Sequence, residues 1–269
     1  MSVTKIALDL YCKAGVSGRG LAQAGYTVIG IDIEPQPNYP YEFIQGDALR
    51  ILKELVQTGW TTIGYAIGET RYSRTLYLSE IDFIWASPPC QKFSRMQAAN
   101  KGRVKRKKKH KDLLTPTLRV LRKLDKQNGG AIPWCVENVE GAPMKDAFVL
   151  CGSRFGLGVS VGGVWYQLQR HRQFVTNFDV ALEHRWKHKH KPGPVIGIYG
   201  GHVRVRAAQY GGRQATENGV FGKTDKKLIA LLAMGLPRDT KITMEELSNG
   251  VPPAYSQFIA SHVNRWVKP

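Results

Sequence analysis

The stretch "KIALDLYCKAGVSGRGLAQAGYTVIGIDIEP", residues 5–35, decides the fold. An apolar run from Ile6 to Tyr11 gives way to a glycine-containing turn, then to "GLAQAG", then to the β-branched run "TVIGIDI". That order is a βαβ unit, and a βαβ unit implies a parallel sheet. Gly25 suits the left-handed cap at the end of the helix. Working outward, "DFIWAS" (82–87) and "PWCVENV" (133–139) read as further buried strands. Between them "LLTPTLRVLRKLDKQNGG" (113–130) has apolar residues at helical spacing and closes on Gly129 and Gly130. The expected architecture is α/β, with a doubly wound, mostly parallel sheet.

After residue 176 the texture changes. "HRWKHKHKPGPVIGIYGGHVRVRAAQYGGRQATENGVFGK" (184–223) is rich in glycine, basic and aromatic residues and has little helical periodicity. The reading is a first, sheet-bearing domain over 1–176, a small irregular lobe over 177–227, and a return to the first domain over 228–269. In the last part "PPAYSQFIASHVNRWV" (252–267) is a helix whose Tyr255, Phe258, Ile259, Val263 and Trp266 share one face and pack on the sheet.

Charge narrows the partners. The 269 residues carry 39 Lys and Arg against 21 Asp and Glu, a net +18. The run "KGRVKRKKKHK" (101–111) holds eight of those positive charges, and without it the chain is still at +10. A polyanionic partner follows, nucleic acid before membrane, because no amphipathic basic helix with an apolar face is evident. The four cysteines, Cys12, Cys90, Cys135 and Cys151, are widely spaced with no CxxC pair, which argues against a disulfide framework and a structural zinc site. The alternating Lys and His of "KHKHK" (187–191) reads as a wet basic face, so no metal is expected. With no leader-like stretch and no long apolar run, the expected setting is a reducing cytoplasm, bacterial or that of a phage-infected host, and the expected state a monomer without a membrane partner.

Three glycines in "AGVSGRG" (14–20), between a strand and a helix, fit a turn that exposes backbone N–H groups to a ligand, although such turns need glycine for steric reasons as well. Asp32 closes the second strand, where an acid accepts hydrogen bonds from ribose hydroxyls. Asp47, in "FIQGDAL", sits at a third strand end. These positions along one sheet edge suggest a nucleoside-containing cofactor. Cys90 stands behind Pro88 and Pro89, which fix φ and prevent helix, and ahead of polar residues. It is either a small buried hydrophobe at a strand end or a nucleophile presented over a cleft. Glu137, at the end of another apolar strand, is either a salt-bridge partner of an arginine or a catalytic acid. Arg170 and Arg172, in "QRHRQF" (169–174), have the spacing of phosphate or carboxylate contacts.

In order, these segments resemble the DNA cytosine-C5 methyltransferase family over most of the chain. "DLYCKAGVSGRGLAQAG" is similar to its cofactor loop, "GIDIEP" and "GDAL" to the next two motifs, "PPCQ" to the nucleophile motif, and "ENV" to the general-acid motif. "RHRQF" is similar to the RxR motif and "SNGVPPAYSQFI" to the closing segment. The "QPNYPYEF" and "LCGSRFGL" segments look most like phage-borne members. The resemblance implies a Rossmann-like fold binding S-adenosyl-L-methionine, with contacts from Asp9, Tyr11, Cys12, Ala14 and Gly15. Asp32 and Ile33, Asp47 and Ala48, and Pro88, Asn249 and Val251 complete that set. It further implies a DNA cytosine-C5 methyltransferase in which Cys90 adds to C6 of a flipped-out cytosine. Glu137 holds N3 and the exocyclic amine, and Arg172, supported by Arg170, holds O2. DNA would lie along the basic run 101–111 and the lobe 177–227.

Two positions depart from the family pattern. Lys13 stands where glycine is common, so it either points outward to a phosphate or pairs with the cofactor's carboxylate. Leu168 replaces a glutamine, with Gln167 and Gln169 beside it. A lobe of about fifty residues offers few base-edge contacts, each worth roughly 1–3 kcal/mol, so a short or degenerate target sequence is expected. The alternatives are a catalytically silent DNA-binding module and the same chemistry on RNA or a free pyrimidine nucleotide. The basic run disfavours the free nucleotide.

Overall fold

In the computed structural model, which describes residues 4–67, 70–91, 93, 111–182, 190, 192–206, 214–215 and 225–263, strand β1 (Lys5–Leu10) leads through helix α1 (Val16–Gln23) to β2 (Tyr26–Asp32). The two strands pair in parallel, as the βαβ reading requires. Then come β3 (Glu42–Gln45), α2 (Ala48–Thr58), a hairpin of β4 (Trp60–Ile67) and β5 (Thr70–Tyr77), and β6 (Ile81–Ala86). Helix α3 (Leu114–Asn128) precedes β7 (Trp134–Val139), followed by β8 (Phe148–Leu150), β9 (Gly158–Val161), β10 (Val164–Leu168) and β11 (Arg172–Thr176). The remainder holds β12 (Val195–Tyr199), β13 (His202–Arg206), β14 (Gln214–Ala215), α4 (Lys226–Ala233), α5 (Met244–Asn249) and α6 (Pro253–Val263).

The main sheet has the order β3-β2-β1-β6-β7-β11-β8. Strands β3, β2, β1, β6 and β7 are mutually parallel, whereas β11 runs antiparallel to both β7 and β8. Successive side chains sort to opposite faces as the pleat demands. Leu8, Leu10, Ile29, Ile31, Ile84 and Val136 pack against α2 and α3. Ala7, Val28, Phe83, Trp85 and Cys135 pack against α1 and α6. Burial on both faces is why these strands read as continuous apolar runs. Helix α6 docks through Tyr255, Ile259 and Val263, as its periodicity predicts, with Phe258 against Phe155; Trp266 lies outside the described residues. The approach of α1 to α6 is close enough that a Cβ on Gly20 would stand 2.0 Å from the Pro253 carbonyl oxygen.

The glycine-rich part departs from the irregular lobe expected over 177–227. Strands β9, β10, β12, β13 and β14 form a second sheet, which recruits β9 and β10 from before residue 177. Glycine here marks hairpins. Gly162-Gly163 joins β9 to β10 and Gly200-Gly201 joins β12 to β13, all four at positive φ. Two-residue turns with both residues at positive φ match the twist of the strands they connect, and glycine adopts them without penalty. Ile196, Ile198, Val203 and Val205 pack this sheet against α4 and α5. The chain passes from the second sheet (β10) back into the first (β11) through only Gln169, Arg170 and His171. The β4–β5 hairpin is a further addition that the sequence reading does not anticipate.

Candidate functional site

The site lies at the carboxyl ends of β1, β2, β6 and β7, where a doubly wound sheet places its ligands. A cavity of about 550 Å³ opens there. One wall is the β1–α1 loop, Tyr11 to Ala14, continuing to Val16 and Ser17. The loop departs from ordinary backbone: Tyr11 (φ 58°) and Lys13 (φ 49°) both have positive φ. Such residues persist only where surroundings hold them. The Tyr11 hydroxyl is 2.8 Å from Thr117 Oγ1 on α3, and the Cys12 and Lys13 amides donate to the Ile31 carbonyl and the Asp32 carboxylate at 3.2 and 3.1 Å. Gly15, at φ 70°, caps α1 with its backbone.

The opposite wall carries the thiol. After β6 the chain continues Ser87-Pro88-Pro89-Cys90, anchored by the Ser87 amide on the Leu10 carbonyl at 3.1 Å. The buried Asn138 donates to the Pro88 carbonyl at 2.9 Å, tying the proline pair to β7. Asn138 adjoins Glu137, and the sequence reading assigns it no role; only the fold brings it to residue 88. Cys90 is half-buried and lines the cavity with Glu137 and Arg172. Glu137 is only 6% exposed and pairs with Arg172 Nε at 3.0 Å. The ion-pair and active-site readings of Glu137 therefore coincide, since the pair itself faces the cavity.

Burial pushes the Glu137 carboxyl above its usual range, while Arg172 and a hydrogen bond from Ser87 oppose the shift. Burial likewise raises the Cys90 thiol, helped by the charge of Glu137 and opposed by Arg172. Thiol, acid and arginine thus form one electrostatic unit.

Arg170 adds its charge to this unit but does not line the cavity. It is 7% exposed and directs its guanidinium at the carbonyls of Ile198, Ser248 (2.6 Å) and Gly250 (2.8 Å), while its own carbonyl accepts from the Tyr255 hydroxyl. Burial and the neighbouring Arg172 pull it down to about 9, still cationic at neutral pH. It ties β12, α5 and α6 to the β10–β11 connection and so positions Arg172.

Among the other expected contacts, Pro88, Asn249 and Val251 line the cavity. Asp32 sits just behind it, 3% exposed, accepting from the Lys13 and Glu34 amides at 3.1 Å. The Lys13 ammonium covers it, 3.7 Å from Asp32 and 3.0 Å from Glu34. Lys13 is thus paired within the chain, and it also lines the cavity, where a phosphate or a cofactor carboxylate would meet it. Ile33 is 65% exposed beside the rim. Asp47 caps α2 through the Leu49 and Arg50 amides, and Ala48 is buried in the core; neither borders the cavity. Asp9 is fully buried beneath the loop, accepting from the Tyr39 hydroxyl at 3.2 Å, and burial raises its carboxyl well above the ordinary value.

The rim is completed by residues to which the sequence reading assigns no role. Glu34 and Gln36 come from the segment after β2, and Thr243, Glu245 and Glu246 from the start of α5. Asn38 donates to both Glu246 carboxylate oxygens at 3.0 and 3.2 Å, bridging the two segments. The basic run 101–111 lies outside the described residues except for Lys111. None of the described helices is long and apolar enough to cross a membrane.

No family model and no curated protein matches the chain. Solved structures do. A Schizosaccharomyces pombe Dnmt2 methyltransferase superposes with a TM-score of 0.52 at 14% identity, covering 98% of this chain and 99% of its own. A Spodoptera frugiperda DNMT2 mutant gives 0.51 at 11%, covering 97% and 99%. The Entamoeba histolytica methyltransferase EhMeth also gives 0.51 at 11%, covering 98% and 99%. With the strand order above, these likenesses identify the fold as the Rossmann-like α/β fold of S-adenosylmethionine-dependent methyltransferases.

Proposed function

We propose that this chain is a cytosine-C5 methyltransferase that uses S-adenosyl-L-methionine and acts on DNA. The observation that supports it is the sharing of one cavity by Cys90, Glu137 and Arg172 with the β1–α1 loop. Its volume, about 550 Å³, suits a nucleoside-sized ligand beside a reacting base. The donor set also suits that cofactor. Loop residues Tyr11 to Ala14 would hold the methionine part, Glu34 the ribose hydroxyls with Asp32 fixing the loop behind it, and the exposed Ile33 the adenine face, with Asn249 and Val251 closing the site. Asp47, engaged in capping α2 outside the cavity, does not belong to this set. S-adenosylmethionine supplies an electrophilic methyl group when bound.

The chain's own residues make the base able to accept it. Cytosine C5 is too poor a nucleophile by itself. The Cys90 thiolate adds at C6, forming an S–C6 bond and pushing the C5–C6 π electrons onto C5. Glu137, its carboxyl raised by burial, holds a proton at N3 as negative charge develops there. Arg172 stabilises the same charge at O2. After alkylation a base removes the C5 proton, and the C5–H electron pair expels the thiolate. A duplex would hide C6, so the cytosine must swing out into the cavity. The basic run 101–111 and the proposed lobe 177–227 would hold the polyanion by charge.

The test incubates the full chain with labelled S-adenosylmethionine and either DNA or RNA at fixed salt, then maps the modified bases. Label at cytosine C5 of DNA, lost in Cys90→Ser, is expected, together with a denaturation-resistant adduct on a 5-fluorocytosine oligonucleotide. Undiminished transfer by Cys90→Ser would overturn the proposed chemistry. Label confined to RNA would keep the chemistry and replace the substrate.

A further inference from the structure

Cys151, His171 and His190 come from three separated parts of the chain and meet at the seam between the two sheets. Cys151 follows β8 directly, His171 lies in the connection from β10 to β11, and His190 precedes β12. Cys151 Sγ is 3.4 Å from His190 Nε2, and the two imidazole rings stand 5.1 Å apart between centroids. One ligand atom from each residue lies within 4.8 Å of the other two. None of the three borders the cavity of Cys90; His171 and His190 open instead onto a second cavity of about 260 Å³ beside Tyr199 and Arg204.

We propose that these three side chains bind a Zn²⁺ ion that clamps the seam. One thiolate and two imidazoles make a nitrogen–sulfur set suited to zinc, whereas calcium and magnesium require oxygen. Tetrahedral zinc, with Zn–S near 2.3 Å and Zn–N near 2.0 Å, holds sulfur and nitrogen about 3.5 Å apart. The Cys151–His190 separation of 3.4 Å already has that value. The 4.8 Å limit on the remaining pairs asks for a contraction of at most about 1.5 Å.

A carboxylate stands near the cluster: Glu140 Oε2 is 3.9 Å from His171 Nδ1, an ion-pair distance that a small side-chain rotation would shorten to the hydrogen bond that backs metal-bound imidazoles. That leaves Nε2 of His171 for the ion. The charge of Zn²⁺ is balanced by the Cys151 thiolate and the Glu140 carboxylate. Binding releases the thiol proton to solvent, leaves both imidazoles neutral and moves no electrons. Water completes the coordination. A bare thiol–imidazole hydrogen bond would explain the 3.4 Å contact, but not the second imidazole and its carboxylate converging on the same point.

The test uses the untagged full chain, stripped with a chelator and titrated with Zn²⁺ or Co²⁺. One ion per chain is expected, with thiolate-to-cobalt charge-transfer and tetrahedral ligand-field bands, and a higher thermal midpoint with zinc than without. Cys151→Ser and His190→Ala should each lose the charge-transfer band or weaken binding by roughly tenfold or more. Cys90→Ser and His262→Ala should leave stoichiometry and spectrum unchanged. His190 is only half-buried, so its variant serves even where the Cys151 variant folds poorly. Failure of the wild-type chain to bind zinc would overturn the proposal, as would an unchanged cobalt spectrum and affinity in His190→Ala.

Discussion

Arg170→Met tests whether the first arginine of "RHR" holds the scaffold or touches the substrate. The guanidinium makes three charge-assisted hydrogen bonds, to the carbonyls of Ile198, Ser248 and Gly250. Each such bond contributes roughly 1.5–3 kcal/mol, a gross loss of about 5–9 kcal/mol for three. Removing the buried cation returns its desolvation cost, several kcal/mol. The carbonyls left without donors then dominate, at roughly 1–3 kcal/mol each. A net destabilisation of about 3–5 kcal/mol is expected, and at roughly 2–4 °C per kcal/mol the midpoint falls by about 6–20 °C. Arg170→Lys, with one compact ammonium, should recover part of that loss. Thermal unfolding followed by circular dichroism, with substrate binding measured on the same preparations, reads both quantities. An Arg170→Met chain that unfolds within about 2 °C of wild type yet has lost turnover would refute the scaffold role.

Three other perturbations follow from the geometry. Because burial raises the folded pKa of Glu137 above its unfolded value near 4.5, its contribution to stability is fully present below about pH 4.5 and is lost as pH rises through the folded value. Calorimetry should therefore show wild type losing ground to Glu137→Gln as pH increases from 4.5; a gain would mean that the Arg172 charge outweighs burial. Gly20→Ala gains about 1 kcal/mol of helix propensity but drives a Cβ to 2.0 Å from the Pro253 carbonyl oxygen, so α6 must shift. Overpacking of this kind costs roughly 1–3 kcal/mol or more, and a midpoint at or above wild type would contradict the packing described. Neutralising the eight Lys and Arg of 101–111 should weaken DNA binding across sequences and flatten its salt dependence while leaving cofactor affinity unchanged, as titration at several salt concentrations would read.

The alternating and helical periods in residues 5–35, 82–87 and 113–139 are local properties of the chain. They carried the parallel sheet, its crossover helices and the place of Cys90 just beyond β6. Glu137, read as closing its strand, lies inside β7, which stays paired to β11 through Val139. Glycine pairs were harder to read, because composition does not distinguish a loop from a tight hairpin; Gly162-Gly163 and Gly200-Gly201 became legible once their φ values and strand partners were known. Roles that depend on distant partners were not legible at all. Arg170 and Arg172 are two residues apart on paper, yet one serves carbonyls 28 to 80 positions away and the other faces the cavity. Lys13 became an internal ion pair only when β2 brought Glu34 beside it. Cys151, His171 and His190 likewise share no motif spacing, because their proximity is produced by strands returning between two sheets. Periodicity and strand-end chemistry are written in neighbouring residues, whereas burial, hydrogen-bond partners and long-range clusters exist only after the chain has closed on itself.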